Sequence, residues 1–222
     1  MKTDLKSKLM ESFQMKDLGE ARFILGMQVQ RDRGNGTISI DQEQYIKEIL
    51  QRFGMMDSNP VSTPVDLNQI ISKEMCPKNA EKTAEMKNVP YQEAIGCIMF
   101  AAQVTRPDLS FPVSCLSRYN QNPGKSHWNA IKRIFRYLKG TINTKLVFNK
   151  NSSNNLLGYC DADWASDTDE RLSTTGYVFK LQGAAISWST KRQPTVALST
   201  TEAEYMYVIS DPRSFVVTTS LR

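Results

Sequence analysis

Residues 22–40 read RFILGMQVQRDRGNGTISI, and the change of period at the end of this stretch decides the fold class. Phe23, Leu25, Met27 and Val29 alternate along it, Gly34-Asn35-Gly36 tolerates positive φ, and Ile38 and Ile40 resume the alternation. The spacing predicts a β-hairpin over 22–40 that turns near Asn35-Gly36. Directly afterwards the period becomes helical: Ile46, Ile49, Leu50 and Phe53 fall at i, i+3, i+4 and i+7, Asp41 can cap that helix, and Gly54 stops it. Upstream, Leu5 to Phe13 forms a short amphipathic helix candidate.

Further along, Met55 to Pro90 is punctuated by Pro60, Pro64, Pro77 and Pro90 and reads as an extended connection followed by a mobile loop. Helical spacing returns over 91–102, is broken by Arg106-Pro107-Asp108, and resumes over 109–119 and 126–138, where Trp128, Ile131, Phe135 and Leu138 face inward. After Gly140 the sequence turns to strands, with candidates at 145–148, 156–161, 175–181 and 185–189. Thr200 or Thr201 then caps a helix beginning at Glu202, which Asp211-Pro212 interrupts. The class expected is α+β.

With 222 residues, 40% hydrophobic and 23% charged, the composition is that of a globular chain and excludes collagen-like or low-complexity readings. The longest apolar run, Ala94 to Ala102, is far short of the ~20 residues that span a bilayer, and the first residues carry charge. A cytoplasmic or nuclear chain with no membrane partner is expected. Four cysteines without CxxC spacing and the single histidine, His127, argue against a zinc site and a histidine-dependent triad.

The net charge of +5 hides an asymmetry. Residues 91–144 carry Arg106, Arg118, Lys125, Lys132, Arg133, Arg136 and Lys139 against Glu93 and Asp108, while residues 156–211 are acidic. Two units with different tasks are implied. In the acidic half, Asp161 and Asp163 end an apolar strand, and Glu202 and Glu204 open a helix. Carboxylates without histidine or cysteine partners suit Mg²⁺ and phosphodiester hydrolysis, although acid-rich loops and a glutamate at a helix start are common without any function. The cations of 126–139, with Arg118 and Lys125, can contact phosphates or simply face solvent.

Seven blocks then fall in one order: MKDLGE at 15–20, FILG at 23–26, RPD at 106–108, RIFRYLKG at 133–140, GYCDADWA at 158–165, STTGY at 173–177 and STTEAEY at 199–205. Together they resemble the Pol polyprotein of copia-type LTR retrotransposons over residues 1 to about 206. The resemblance implies four segments: 1–53 as the end of a reverse transcriptase palm with a primer-holding hairpin and first thumb helix, 54–90 as a linker, 91–144 as a helical thumb and connection, and 145–222 as an incomplete RNase H-like β-β-β-α unit. The family's YVDD-like polymerase loop lies upstream of the KDLGE block and has no counterpart here.

Carried over by motif, Asp161 matches the first catalytic and metal-binding aspartate of RNase H, and Glu204 matches the catalytic and metal-binding glutamate. Asp163 and Glu202 are assigned no metal. The third aspartate of that family has no match; Asp211 is the one late candidate, and on a continuous helix it would stand ~10 Å beyond Glu204. The resemblance therefore implies a fragment of reverse transcriptase and RNase H without catalysis in this form. Mg²⁺ would be a cofactor of the intact family, with none held tightly here. Weak, salt-dependent contact with RNA:DNA hybrid or duplex nucleic acid is expected through Arg118, Lys125, Lys132, Arg133, Arg136 and Lys139. The rivals are a non-catalytic binding remnant and a split RNase H completed in trans. In the half-domain, one sheet face is expected to lack its cover, leaving Tyr177, Phe179, Ile186 or Trp188 partly exposed.

Overall fold

A computed structural model describes residues 2–16, 18–66 and 68–210 of the chain. Helix α1 spans Lys2–Ser12, followed by strands β1 (Phe23–Ile24), β2 (Met27–Asp32) and β3 (Thr37–Asp41). The stretch expected as one hairpin reverses twice. Ile24 pairs with Met27 across Leu25 and Gly26, both at positive φ (49° and 77°), so a primed two-residue turn precedes the expected one and the result is a meander. In the second turn the Asp32 carboxylate accepts from Asn35 N at 3.0 Å and Asn35 Nδ2 at 2.6 Å.

Strand β4 (Leu146–Asn149) lies against β3, with Ile40 opposite Leu146 and Thr37 opposite Asn149. The strand expected over 145–148 thus forms, but it completes the first sheet, in the order β1-β2-β3-β4, instead of joining the strands that follow it. Alternation identifies a strand and says nothing of its partner. Gly36 sits where β4 leaves the sheet: its φ is 63°, its carbonyl accepts from Lys150 N at 3.0 Å, and a Cβ there would meet the Lys150 side chain at 2.6 Å.

Four helices enclose the core: α2 (Glu43–Arg52), α4 (Tyr91–Val104), α5 (Ser110–Ser117) and α6 (Lys125–Gly140), with α3 (Ala80–Met86) outside it. Ile46, Ile49 and Leu50 of α2 meet Ile95 and Ile98 of α4 and Ile131, Ile134, Phe135 and Leu138 of α6, and Phe53 stacks on Phe135 at 4.9 Å. The apolar positions expected to face inward do so, except that Trp128 is only partly buried. Segment 54–90 departs from the expected mobile loop. Met55, Met56, Ile71 and Val89 pack against the core, and Asn79 caps α3 by accepting from Lys82 N at 3.0 Å. Widely spaced apolar residues between prolines give no period to read, yet each can anchor an extended chain.

The second sheet is an antiparallel meander of β5 (Leu157–Ala162), β6 (Thr174–Leu181) and β7 (Ala184–Arg192), and α7 (Thr200–Ser210) packs along β5. The cap of α7 is Ser199, not Thr200 or Thr201: its hydroxyl accepts from Glu202 N at 3.1 Å. This sheet is covered in part, because α5 lies against β7 and Trp188 Nε1 donates to the Ala102 carbonyl at 2.7 Å, while Tyr177 and Trp188 stay half-buried as expected. Phe179 is buried, whereas Ile186 stays exposed. Asn149 N donates to the Gln182 carbonyl at 3.0 Å, which ties β4 to the β6–β7 turn. No helix among the described residues is long and apolar enough to cross a membrane.

Candidate functional site

Asp161 lies near the end of β5 opposite Gly176, and strand alternation places it on one face with Leu157 and Tyr159. Glu204 is exposed on α7. Burial pushes the Cys160 thiol up, and the negative charges of Asp161 and Glu204 push it further the same way.

Their neighbours serve the backbone. Asp163 Oδ1 accepts from Thr174 N at 2.5 Å while Asp163 N donates to the Thr174 carbonyl at 3.0 Å, which closes the β5–β6 ladder. Glu202 Oε2 accepts from Leu198 N at 2.7 Å, so it reaches back over the start of α7 as the acid of a capping arrangement. Asp211 lies outside the described residues.

Among the described residues no group of three His, Cys, Asp or Glu side chains could hold a metal ion.

Asp161 and Asp163 open onto a cleft of about 590 Å³ between the second sheet and the turn Pro107–Leu109, with Trp188 in its wall. Asp108 also lines it, held by Arg106 at 2.7 Å and by the Tyr137 hydroxyl at 2.8 Å. Arg106 is fully buried and donates as well to Thr141 Oγ1 and the Thr141 carbonyl at 2.7 and 3.1 Å, joining the end of α4 to the end of α6. The RPD block thus has a structural duty that composition alone does not reveal.

The six cations expected at a nucleic-acid surface separate into two groups. Arg133 donates to the Thr63 carbonyl and hydroxyl and pairs with Asp66 at 3.1 Å; Arg136 Nε donates to the Asn59 carbonyl at 2.6 Å; Lys139 Nζ donates to the Ser58 carbonyl at 2.7 Å. Arg118 pairs with Asp167 at 2.7 Å. Lys125 and Lys132 remain exposed, with Lys132 Nζ 5.8 Å from the centre of the Trp128 ring. The reason lies in segment 58–66: an extended chain interrupted by Pro60 and Pro64 has carbonyls without ladder partners, and the outward cations of α6 supply donors.

The same logic operates at the loop 167–170. Asp167, whose side chain is 2% exposed, takes Arg118 and Arg192 together. Burial alone would raise its carboxyl; the bonds from Arg192, Asp169 N and Arg118 outweigh that and hold it below the usual carboxylate range. Asp169 accepts from Lys73 N and the Tyr119 hydroxyl, and Glu170 pairs with Lys73 at 2.6 Å. Lys73, Tyr119 and Arg192 were not among the expected site residues. Only the opposed charges of the two halves hinted at this contact.

The family profile "Reverse transcriptase (RNA-dependent DNA polymerase)" matches residues 1–67. The chain is 50% identical over 202 residues to the retrovirus-related Pol polyprotein from transposon TNT 1-94 of Nicotiana tabacum, covering 91% of this chain and 15% of that protein. It is 37% identical over 199 residues to an uncharacterized mitochondrial protein of Arabidopsis thaliana, covering 89% of this chain and 78% of that one. A secreted RxLR effector protein of Plasmopara viticola is 52% identical over 121 residues, which is 54% of this chain and 85% of the effector. The chain thus spans about a seventh of the tobacco polyprotein. No solved structure matches.

Proposed function

Because the chain belongs to the family of retrotransposon Pol polyproteins with a reverse transcriptase domain, we propose that it carries the C-terminal part of a reverse transcriptase joined to the opening of an RNase H unit. In this form it binds nucleic acid without catalysis. The observation that carries this reading is the order of the second sheet, a β5-β6-β7 meander followed by α7, with Asp161 near the end of β5 and Glu204 exposed on α7, while no group of three His, Cys, Asp or Glu side chains among the described residues could hold a metal ion. Two ligands hold a divalent ion loosely and do not orient attacking water. Lys125 and Lys132, exposed on α6, supply the charge available for phosphate contact.

The test incubates the full chain with Mg²⁺ or Mn²⁺ and labelled RNA:DNA hybrid, in parallel with a primer-extension assay. Neither cleavage nor extension is expected, while the hybrid binds with an affinity that falls as salt rises. Cleavage that disappears in Asp161→Asn and Glu204→Gln overturns the reading. The unpaired edge of β5 favours one alternative, an RNase H completed in trans. Cleavage that appears only on adding the downstream segment of the tobacco relative would establish that alternative.

A further inference from the structure

We propose that the cavity between α5, α6, residues 64–66 and 69–71 and the β5–β6 loop is a binding site for an uncharged apolar molecule of one or two rings. The cavity measures about 280 Å³, at the lower end of the ~300–1,000 Å³ typical of ligand pockets, so its occupant is small. It goes beyond the nucleic-acid reading and does not depend on it.

The walls set the polarity of the occupant. Ile70 is 61% exposed and Phe111 39%, and both open onto this cavity, with Pro112 and Leu116 also in its lining. Apolar surface left facing water across a hollow is what an apolar ligand removes, at ~25 cal/mol for each Å² covered. Ala130 and Cys115 contribute short side chains to the walls, which leaves the space unfilled.

The lining charges set its net charge. Arg118, Arg133, Asp66 and Asp167 border the cavity, and they satisfy one another: Arg133 pairs with Asp66 at 3.1 Å and Arg118 with Asp167 at 2.7 Å. A charged ligand would have to break one of these pairs, whereas a neutral ring leaves both intact. The walls come from the helical half and from the loop at 166–168. An occupant therefore touches both halves and strengthens their docking.

The test uses the full chain and the neutral two-ring dye prodan, 6-propionyl-2-(dimethylamino)naphthalene. Exposed Leu5, Phe13, Leu18 and Phe23 can also attract such a dye, so location is read at Cys115 by its rate of modification with N-ethylmaleimide, followed by peptide mass. Saturating dye is expected to slow Cys115 modification at least fivefold and leave Cys76 unchanged. Ala130→Phe, which fills the hollow, is expected to weaken dye binding at least tenfold; if that variant does not fold, protection of Cys115 in the unmodified chain decides alone. The anionic two-ring dye 5-(dimethylamino)naphthalene-1-sulfonate is expected to give no protection at the same concentration. Cys115 modified at the same rate with and without the neutral dye overturns the site, and equal protection by the anionic dye overturns the charge assignment.

Discussion

Arg118 Nη1 and Asp167 Oδ2 stand 2.7 Å apart, joining the end of α5 to the loop between β5 and β6. The contact gives the charge asymmetry of the sequence a physical meaning. The basic half and the acidic half are in part each other's counter-charge, with Lys73, Tyr119 and Arg192 completing the junction around Asp167, Asp169 and Glu170.

Replacing Asp167 by alanine leaves Arg118 and Arg192 facing each other without their shared carboxylate. Breaking a buried pair costs ~3–5 kcal/mol, and the low end applies because the two arginine side chains keep 25% and 36% of their exposure. A loss of about 3 kcal/mol in urea unfolding is expected. Because the folded carboxyl is held below its ordinary value, this stabilisation is complete above the unfolded pKa near ~3.9 and is lost as pH falls through the folded value. An acid titration of the wild type should show stability falling below about pH 4, and the Asp167→Ala variant should show less of that fall.

Gly124 begins α6 under a tight constraint. A Cβ there would lie 2.0 Å from the Met75 carbonyl oxygen, a backbone atom that cannot swing aside. Gly124→Ala is expected to destabilise the fold by at least ~1–3 kcal/mol, the range for overpacking. Gly96, in the middle of α4, has nothing within 4 Å of its added Cβ. Gly96→Ala is expected to stabilise by up to about 1 kcal/mol, the helix-propensity difference. Urea midpoints of the two variants should move in opposite directions.

His127 is fully buried: its Nδ1 accepts from Gly124 N at 2.8 Å and its Nε2 faces the Ser72 carbonyl at 3.2 Å, while its ring stacks on Tyr119 at 4.1 Å. Burial pushes its imidazole below the usual histidine range, against the pull of the Ser72 carbonyl. Stability from the neutral ring is full above the unfolded pKa near ~6.5 and declines as pH drops through the folded value. The thermal midpoint should fall as pH drops below about 6.5 in the wild type, and that portion should vanish in His127→Gln.

The cations of α6 should divide by function. Lys125→Gln and Lys132→Gln are expected each to lower the slope of log affinity against log salt for duplex DNA by about 0.9 while leaving the urea midpoint unchanged. Arg133→Gln and Arg136→Gln should do the reverse, because they hold residues 59–66. Limited proteolysis would show the second pair cleaved faster within that segment. Equal salt slopes for all four variants would contradict the division.

What the sequence made legible follows from locality. The turn near Asn35-Gly36, the buried stripe of α2 and the inward positions Ile131, Phe135 and Leu138 of α6 are written in side chains a few residues apart, and all three form. The extra reversal at Leu25-Gly26 was concealed because Leu25 continues an alternation that its left-handed backbone in fact breaks. The partner of β4, the anchoring of segment 54–90 and the pairing of Arg118 with Asp167 depend on contacts across 45 to 110 residues, roughly, where no period exists to read. Asp161 and Glu204 were legible only through their motifs, since an acid at a strand end and another on a helix are common apart from each other.

The pairing of β3 with β4 also imposes an order on biosynthesis. Ile40 leaves the ribosome about a hundred residues before Leu146, its cross-strand neighbour. At ~5–20 residues per second, the edge of β3 waits several seconds for the strand that covers it. The intervening residues include all of α2 to α6, so the helical core can assemble during that interval and bring the two ends of its own loop together. A chain released before Leu146 is added would carry its helical core beside an open strand edge, which is a form exposed to wrong pairing and to chaperone capture.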